Sequence, residues 1–196
     1  MRRRGALAPP HRSATPARAG AAFTFAIATL ALAACTTLQP SQQAGGDALS
    51  GRLALRVEAN GDTAAKAFSA AFDLRGDPEA GTLALSTPLG STLAQARWSP
   101  AEVVLATPQG TRRFANLDEL TRDALGESVP LEAWFDWLRG RPWPGAPSEP
   151  APELRQGFAQ LGWRVDLGSF AEQGTLNATR TTPPPTVTVR IRLDRS

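Results

Sequence analysis

Apolar and polar side chains alternate along a series of short segments, and this pattern constrains the fold more than any other feature of the chain. In the first segment, Leu53, Leu55 and Val57 fall on one side of an extended chain and polar residues on the other. Such alternation is typical of strands with one buried and one solvated face. The predicted strands cover 51–58, 66–74, 82–87, 91–98, 102–107, 112–114, 162–167, 175–180 and 187–193. Because a turn signal at Asn60-Gly61 follows the first strand, we expect the first two to pair antiparallel.

Two segments with helical periodicity follow the early strands. The first spans 117–125, between Asn116 as a suitable N-cap and Gly126 as a suitable stop. The second begins after a proline and spans 131–140, with four large apolar side chains at positions i, i+3, i+4 and i+7. These side chains are Leu131, Trp134, Phe135 and Leu138.

The segment 141–153 is rich in proline, which excludes a helix or a central strand and predicts an extended loop. A sheet with one apolar face must cover that face, and the two short helices are what the chain offers. We therefore predict an α+β fold that is mainly β, an antiparallel sheet with helices over its apolar side. If this covering is incomplete, the concave side is a hydrophobic pocket.

The first 34 residues are typical of a secretory signal peptide. Five arginines and no acidic residue precede an apolar run that starts near Ala21. This run is too short for a comfortable membrane span, which needs about 20 apolar residues. It ends in Leu32-Ala33-Ala34-Cys35, which resembles the lipobox of bacterial lipoproteins. That resemblance implies removal of 1–34 and a mature N terminus at Cys35 that carries a diacylglycerol and an N-acyl chain. The alternative is a small buried cysteine after a transmembrane helix.

Removal of the leader changes the composition. It leaves 162 residues, enough for one domain, with 16 Lys and Arg against 18 Asp and Glu, a net charge of −2. The basicity of the whole chain is therefore a targeting signal and gives no support to nucleic-acid binding. We expect residues 35–48, which lack periodicity and are rich in Gln, Gly and Thr, to be a lipidated flexible tether, and 49–196 to form the domain.

Most enzyme chemistry lacks its residues in the mature chain. The single histidine, His11, lies in the leader, so a catalytic triad, a zinc site and a histidine base are excluded. With Cys35 the only cysteine, an intrachain disulfide is also excluded. The acidic pairs Asp118/Glu119 and Glu132/Asp136 are better explained by solvation and by helix N-terminal charge. We expect no catalytic residue, no metal and no cofactor.

Short motifs between 51 and 193 occur in a characteristic order. They are Gly51-Arg52, Ser69-Ala70 followed by Phe72, Pro88-Leu89-Gly90-Ser91, Pro130 before a helix ending in Trp-Leu-Arg-Gly with Pro142 and Pro144, and Phe158 with Gln160-Leu161-Gly162-Trp163. In this order and spacing the motifs resemble the LolB family of outer-membrane lipoprotein receptors. Each motif is unspecific alone, and the resemblance rests on their sequence along nearly the whole mature domain.

The resemblance implies an unclosed antiparallel half-barrel with helices as a lid. It also implies a monomer, anchored by lipid at the periplasmic face of the cell outer membrane, that accepts acylated lipoproteins from a periplasmic carrier, LolA, and inserts them among outer-membrane lipids. Such transfer changes no covalent bond and needs no catalyst. Two other classes remain open: a structural or assembly lipoprotein with a filled interior, and a carboxylate-dependent hydrolase whose acids would converge in the pocket.

The apolar stripes of the predicted strands and helices supply the candidate acyl-chain cavity. Its residues are Leu53, Leu55, Phe68, Phe72, Leu83, Leu85, Leu93, Trp98, Trp134, Phe135 and Leu138. The same stripes are also compatible with an ordinary packed core.

Leu89 is the candidate residue for membrane insertion. Pro88-Leu89-Gly90 lies between two predicted strands and suits a turn, which places a large aliphatic side chain at a loop tip. In the resembled family this leucine projects from the domain and helps deliver cargo into the membrane. The alternative is a leucine folded back under the turn.

We predict that the mature protein begins at an acylated Cys35 and, because Thr36 rather than aspartate follows it, is sorted to the outer membrane. Each buried CH₂ contributes about 0.8 kcal/mol, and stable anchoring takes more than one chain. Intact-mass analysis of the protein from membranes checks the modification. A retained leader or an unmodified cysteine would show the prediction to be wrong.

Overall fold

The structure is a computed structural model that describes residues 48–61 and 64–194. The signal peptide, Cys35 and most of the proposed tether lie outside the described residues. The described residues belong to one compact unit, Ser41–Ser196.

The described residues form one antiparallel sheet. Its strands are β1 (Leu49–Val57), β2 (Lys66–Gly76), β3 (Gly81–Ser86), β4 (Thr92–Trp98), β5 (Val103–Thr107), β6 (Gly110–Phe114), β7 (Ser148–Pro150), β8 (Gly157–Gln160), β9 (Trp163–Ser169), β10 (Thr175–Arg180) and β11 (Val187–Leu193). Their order is β6-β5-β4-β3-β2-β1-β11-β10-β9-β8-β7. The two edge strands, β6 and β7, flank the helical segment in the chain. They do not pair with each other, so the sheet is unclosed. The predicted α+β half-barrel is confirmed.

Helix α1 (Leu117–Leu125) begins and ends where the sequence predicts. The Asn116 side chain accepts a hydrogen bond from the Glu119 backbone N–H at 2.8 Å, and the Glu119 carboxylate accepts one from the Ala115 N–H at 2.8 Å. These bonds satisfy donors that the first turn leaves free. At the other end Gly126 takes a φ of 81°, which a glycine adopts at low cost.

Helix α2 (Leu131–Trp137) ends earlier than the predicted 140. The N–H groups of Arg139 and Gly140 bond back to the carbonyls three residues earlier, at 2.9 Å each. Such tight turns close a helix end and leave Leu138 as its C-cap. The predicted apolar face is nevertheless buried throughout.

Three elements were not predicted from the sequence. The edge strand β7 lies within the proline-rich segment, and its Pro150 is tolerated because an edge strand leaves one side without ladder partners. Strand β8 is short, and its inward-facing Gln160 breaks the apolar alternation that marks a strand. Helix α3 (Phe170–Gln173) is a single turn, too short to show periodicity.

The concave face of the sheet carries the core. Inward residues of β1, β2 and β11 are buried, whereas the intervening residues of β1 are exposed. Helix α2 packs onto this face through aromatic side chains. The rings of Phe135 and Trp98 meet edge to face with centroids 6.0 Å apart, and those of Trp137 and Phe158 at 6.3 Å.

The buried Gln160 side chain joins α2, the proline-rich segment and β8. Its Oε1 accepts hydrogen bonds from Trp137 Nε1 at 2.8 Å and from the Trp143 N–H at 2.9 Å. Its Nε2 donates to the carbonyls of Trp143 and Ala146 at 2.7 and 2.8 Å. All hydrogen-bonding atoms of this buried amide therefore have partners, and one polar side chain holds a loop in place.

We expect Gln160→Leu to lower the free energy of unfolding by at least about 3 kcal/mol, because each buried group left without a partner costs about 1–3 kcal/mol. Urea denaturation measures the change. The control is Gln156→Leu at an exposed position, where we expect a change within about 0.5 kcal/mol. Equal stability of the two variants would contradict the role given to Gln160.

Candidate functional site

A cavity of about 710 Å³ lies between the concave face of the sheet and the helices α1 and α2. Its volume falls within the range of about 300–1,000 Å³ typical of ligand-binding pockets. The wall is contributed mainly by β1 to β5, and helix residues such as Leu120, Leu125 and Trp134 close the opposite side. Most of these side chains are apolar, so the cavity suits a hydrocarbon better than a polar ligand.

Seven of the eleven side chains predicted for the cavity line it. They are Leu53, Leu55, Phe68, Leu83, Leu85, Leu93 and Trp134. They come from four strands and one helix, and the sheet curvature brings them around a common space. Whether they bind an acyl chain stays a prediction.

The structure places the other four, Phe72, Trp98, Phe135 and Leu138, in the packed interior rather than on the cavity wall. The rings of Trp98 and Phe135 fill the space between β4 and α2, and Trp98 Nε1 donates to the Asp77 carbonyl at 3.2 Å. Phe72 lies opposite Gly51 of β1, whereas Phe68 lies opposite Leu55, four residues farther along that strand. Alternation distinguishes the two faces of a strand, but it does not distinguish packed positions from cavity positions on the same face.

Leu93 reaches the cavity because of a β-bulge. Strict alternation in β4 would place Leu93 opposite in direction to Ala94, Ala96 and Trp98. The register with β3 shifts at this point, since Leu85 pairs with Ala94 but Ser86 pairs with Thr92. A bulge inserts one residue into the strand and changes the direction of its side chains. Both Leu93 and Ala94 consequently line the cavity.

Polar residues line part of the cavity, and sequence reasoning did not find them. Arg112 of β6 and Asp123 of α1 form an ion pair there, and the Arg112 guanidinium lies 5.2 Å from the centroid of the Phe114 ring. Lys66 and Gln109 also contribute to the lining. These residues lie on separate elements, so no local pattern in the sequence links them.

Leu89 is 95% exposed at the tip of the turn between β3 and β4. The turn is well braced, since the Gly90 N–H donates to the Thr87 carbonyl and the Thr87 N–H donates to the Ser91 carbonyl, each at 2.9 Å. Gly90 takes a φ of 85°. A leucine folded back under the turn is thereby contradicted. Leu85 and Leu93 line the cavity on the two strands that the turn joins, so Leu89 projects close to this part of the cavity lining.

Polar contacts fix the connection between α1 and α2 to the sheet. Arg180 of β10 is buried, forms an ion pair with Glu127 at 2.5 Å and donates to the Ser128 carbonyl at 3.4 Å. Its guanidinium also lies 5.7 Å from the Trp163 ring. The connection between α1 and α2 is therefore attached to β10, in the half of the sheet that does not line the cavity.

A further polar contact joins the start of α1 to the same connection. The Ser128 hydroxyl donates to Asp118, and this bond, with Arg122 at 2.5 Å, holds the pKa of the Asp118 carboxyl below its usual value despite partial burial. A lowered pKa means that this contact stabilises the fold above the unfolded-state pKa and is lost as the pH falls through the folded-state value.

Three of the four acidic residues considered from the sequence, Asp118, Glu119 and Asp136, have structural partners. Asp118 and Glu119 make the contacts described above, and Asp136 pairs with Arg141 at 2.6 Å. Within 48–61 and 64–194 no group of three or more histidine, cysteine, aspartate or glutamate side chains could hold a metal ion. No helix in those ranges is long and apolar enough to cross a membrane.

Comparison with known proteins identifies close relatives of this chain. Residues 48–195 match the family model "Outer membrane lipoprotein LolB". The chain is 36% identical to the outer-membrane lipoprotein LolB of Bordetella parapertussis, over 82% of this chain and 84% of the relative. It is 34% identical to that of Ralstonia nicotianae over 80% of each chain. It is 32% identical to that of Neisseria meningitidis over 74% of this chain and 75% of the relative.

Two phenylalanines on the same face of β2 test the boundary between cavity and core. Phe72 is only 3% exposed, and we expect Phe72→Ala to cost about 3–5 kcal/mol of unfolding free energy, the usual cost of a packed phenylalanine. Phe68 is half-buried and faces the cavity, so we expect Phe68→Ala to cost less than about 2 kcal/mol. Denaturation curves of both variants provide the comparison. Similar losses would show that Phe68 is packed like Phe72.

Proposed function

The chain belongs to the LolB family of outer-membrane lipoproteins, and from this membership we propose that it receives acylated lipoproteins in its cavity and inserts them into the outer membrane. The observation that carries the proposal is the apolar cavity of about 710 Å³, whose lining residues Leu85 and Leu93 lie on the two strands that the exposed Leu89 turn joins. The protein itself is held at the outer membrane by the acyl chains on Cys35.

The chemistry of the cavity supports acyl chains as its occupants. An acyl chain gains about 25 cal/mol for each Å² of apolar surface that it removes from water, and leucine and phenylalanine side chains provide the surface against which it packs. No covalent bond changes when a lipoprotein moves from a carrier to a membrane. The protein therefore acts without catalysis, which accords with a cavity lined by few ionisable groups.

A structural lipoprotein with a filled interior is the competing function. It would need the same anchor and the same sheet, but its concave face would be packed by its own side chains. The half-buried Phe68, Leu85 and Leu93 around an open space favour the transfer function instead. A hydrolase would need free carboxylates in the cavity, and Asp123, the acidic residue on its lining, is paired with Arg112.

The proposal assigns acceptance and release to different parts of the molecule. A soluble periplasmic carrier of the LolA type delivers the cargo to the cavity, and outer-membrane lipids receive it. Leu89 acts in release: its insertion into a bilayer gains at most about 1.5–3 kcal/mol. That gain is enough to bias a tethered monomer toward contact with the membrane and too small to hold it there.

The test follows one lipopeptide through both steps. The chain from Thr36 onward, which contains the compact unit, is loaded first with an apolar fluorescent probe and then with a triacylated lipopeptide, and displacement of the probe reports acceptance. Mixing with liposomes then reports transfer. A non-acylated peptide of the same sequence is the control for acceptance, and failure of the lipopeptide to displace the probe would refute the proposed function.

We expect Leu89→Glu to leave acceptance and stability unchanged and to slow transfer into liposomes severalfold, because the charged side chain cannot enter the bilayer. The matched control is Leu161→Glu, since Leu161 is the other large exposed apolar residue of the described chain, at 45%, and lies in a turn between β8 and β9. Transfer at the wild-type rate, or an equal loss of acceptance, would contradict the separation of the two roles.

A further inference from the structure

The convex face of the sheet carries an arginine cluster that the proposed function does not use. The cluster consists of the exposed Arg52 of β1 and the exposed Arg190 and Arg192 of β11. Arg52 lies directly opposite Arg192 in the ladder, and Arg190 lies opposite Ala54. Like charges that face each other across an antiparallel pair destabilise the sheet. Three arginines at the centre of the sheet are therefore not explained by stability.

Several other arginines of the sheet have acidic partners. Arg56 pairs with Glu58 at 2.7 Å, and Arg75 pairs with Asp73 at 2.5 Å. Among the residues that the structure describes, none forms an ion pair or a side-chain hydrogen bond with a guanidinium of the arginine cluster. The mature chain is slightly acidic as a whole, so this concentration of free positive charge is local.

A shallow depression of about 330 Å³ adjoins the arginine cluster. Its lining includes small side chains, among them Ala54, Ala67 and Ser69, together with Arg56 and Arg190. The hydroxyls of Ser69 and Thr188 border the same space. Phosphate oxygens accept hydrogen bonds from guanidinium and hydroxyl groups. The small neighbouring side chains leave room for a headgroup.

The position of the arginine cluster can be compared with those of the two segments proposed to contact the membrane, the N-terminal tether and the Leu89 turn. The ladder places Ser86 of β3, Ala71 of β2, Arg52 and Arg192 in one row across the sheet. Leu89 follows Ser86 by three residues, and the chain enters the sheet at Leu49, three residues before Arg52. Along the direction of the strands, the cluster thus lies between the level at which the chain enters β1 and the level of the turn that carries Leu89.

We propose that the arginine cluster binds the phosphate headgroups of anionic phospholipids at the surface of the membrane to which the protein is attached. Binding lays the convex face along the bilayer and brings the Leu89 turn to the lipid surface. The site is separate from the cavity, and it acts on the orientation of the domain rather than on cargo.

The test uses the chain from Thr36 onward, which lacks the acyl anchor, and measures its cosedimentation with vesicles. The vesicles contain phosphatidylcholine alone or with phosphatidylglycerol. We expect partition to require phosphatidylglycerol and to fall as salt rises. The double change Arg190→Gln and Arg192→Gln should weaken partition about 30-fold, since each arginine near an anionic surface contributes about a fivefold effect.

The control removes the same charge elsewhere, by Arg113→Gln with Arg155→Gln, two exposed residues outside the arginine cluster. It should weaken partition by less than about threefold. Because Arg192→Gln relieves a like-charge contact, the cluster variant should melt no lower than wild type, which separates lost binding from lost folding.

Three results would overturn the proposal: partition that does not depend on phosphatidylglycerol, an unchanged partition of the cluster variant, and an equal loss in the control. Soluble glycerol phosphate distinguishes a membrane surface from a free phosphate. At millimolar concentration it should not displace the protein from vesicles, and displacement would assign the site to a soluble ligand instead. Displacement of the apolar probe by the lipopeptide is measured in parallel and should be the same in the cluster variant, so failure here is distinguishable from failure of the transfer function.

Discussion

The structure depends on one constraint. The sheet is unclosed, and only a few helical residues shield its apolar concave face from water. A closed barrel would bury this face on itself, but the strands at the two edges do not pair. Helix α2 is buried throughout and covers the face with aromatic side chains. Helix α1 covers the remainder at a distance, and the space beneath it is the cavity. The two helices therefore cover the concave face unequally. The part under α2 is a packed core, and the part under α1 contains the cavity.

The helices are attached to the sheet in two ways. Helix α2 is held by apolar packing and by the fully satisfied Gln160 amide. Helix α1 buries Leu117 and Leu120 and adds polar contacts at its ends, namely Arg112 with Asp123 at the cavity and Asp118 with Ser128 at the connection. The exposed ion pair of Arg112 with Asp123 contributes only about 0–1 kcal/mol. Of the two helices, α1 therefore contributes the smaller buried apolar surface to the cover over the cavity.

The sequence was sufficient for the strands whose two faces differ and for the helix bounded by Asn116 and Gly126, because alternation and capping are local properties. It was sufficient also for the exposure of Leu89, since a Pro-Leu-Gly turn leaves a leucine little to pack against. It could not separate Phe68 from Phe72, which share a strand and a face and differ only in what lies above them. The bulge that turns Leu93 inward and the rim pair of Arg112 and Asp123 likewise depend on pairing between distant segments.

The free energies of the proposed membrane contacts indicate a different role for each contact. In the proposed function the acyl chains on Cys35 supply attachment, because each buried CH₂ contributes about 0.8 kcal/mol and each chain contains many. The proposed contacts of Leu89 and the arginine cluster contribute at most about 3 kcal/mol each, so that without the anchor they give only weak, reversible attachment. An attached domain, however, has already lost its translational freedom, so contacts of this size are sufficient to select among its orientations. Because both proposed contacts are weak, the domain can leave this orientation again, as repeated rounds of transfer require.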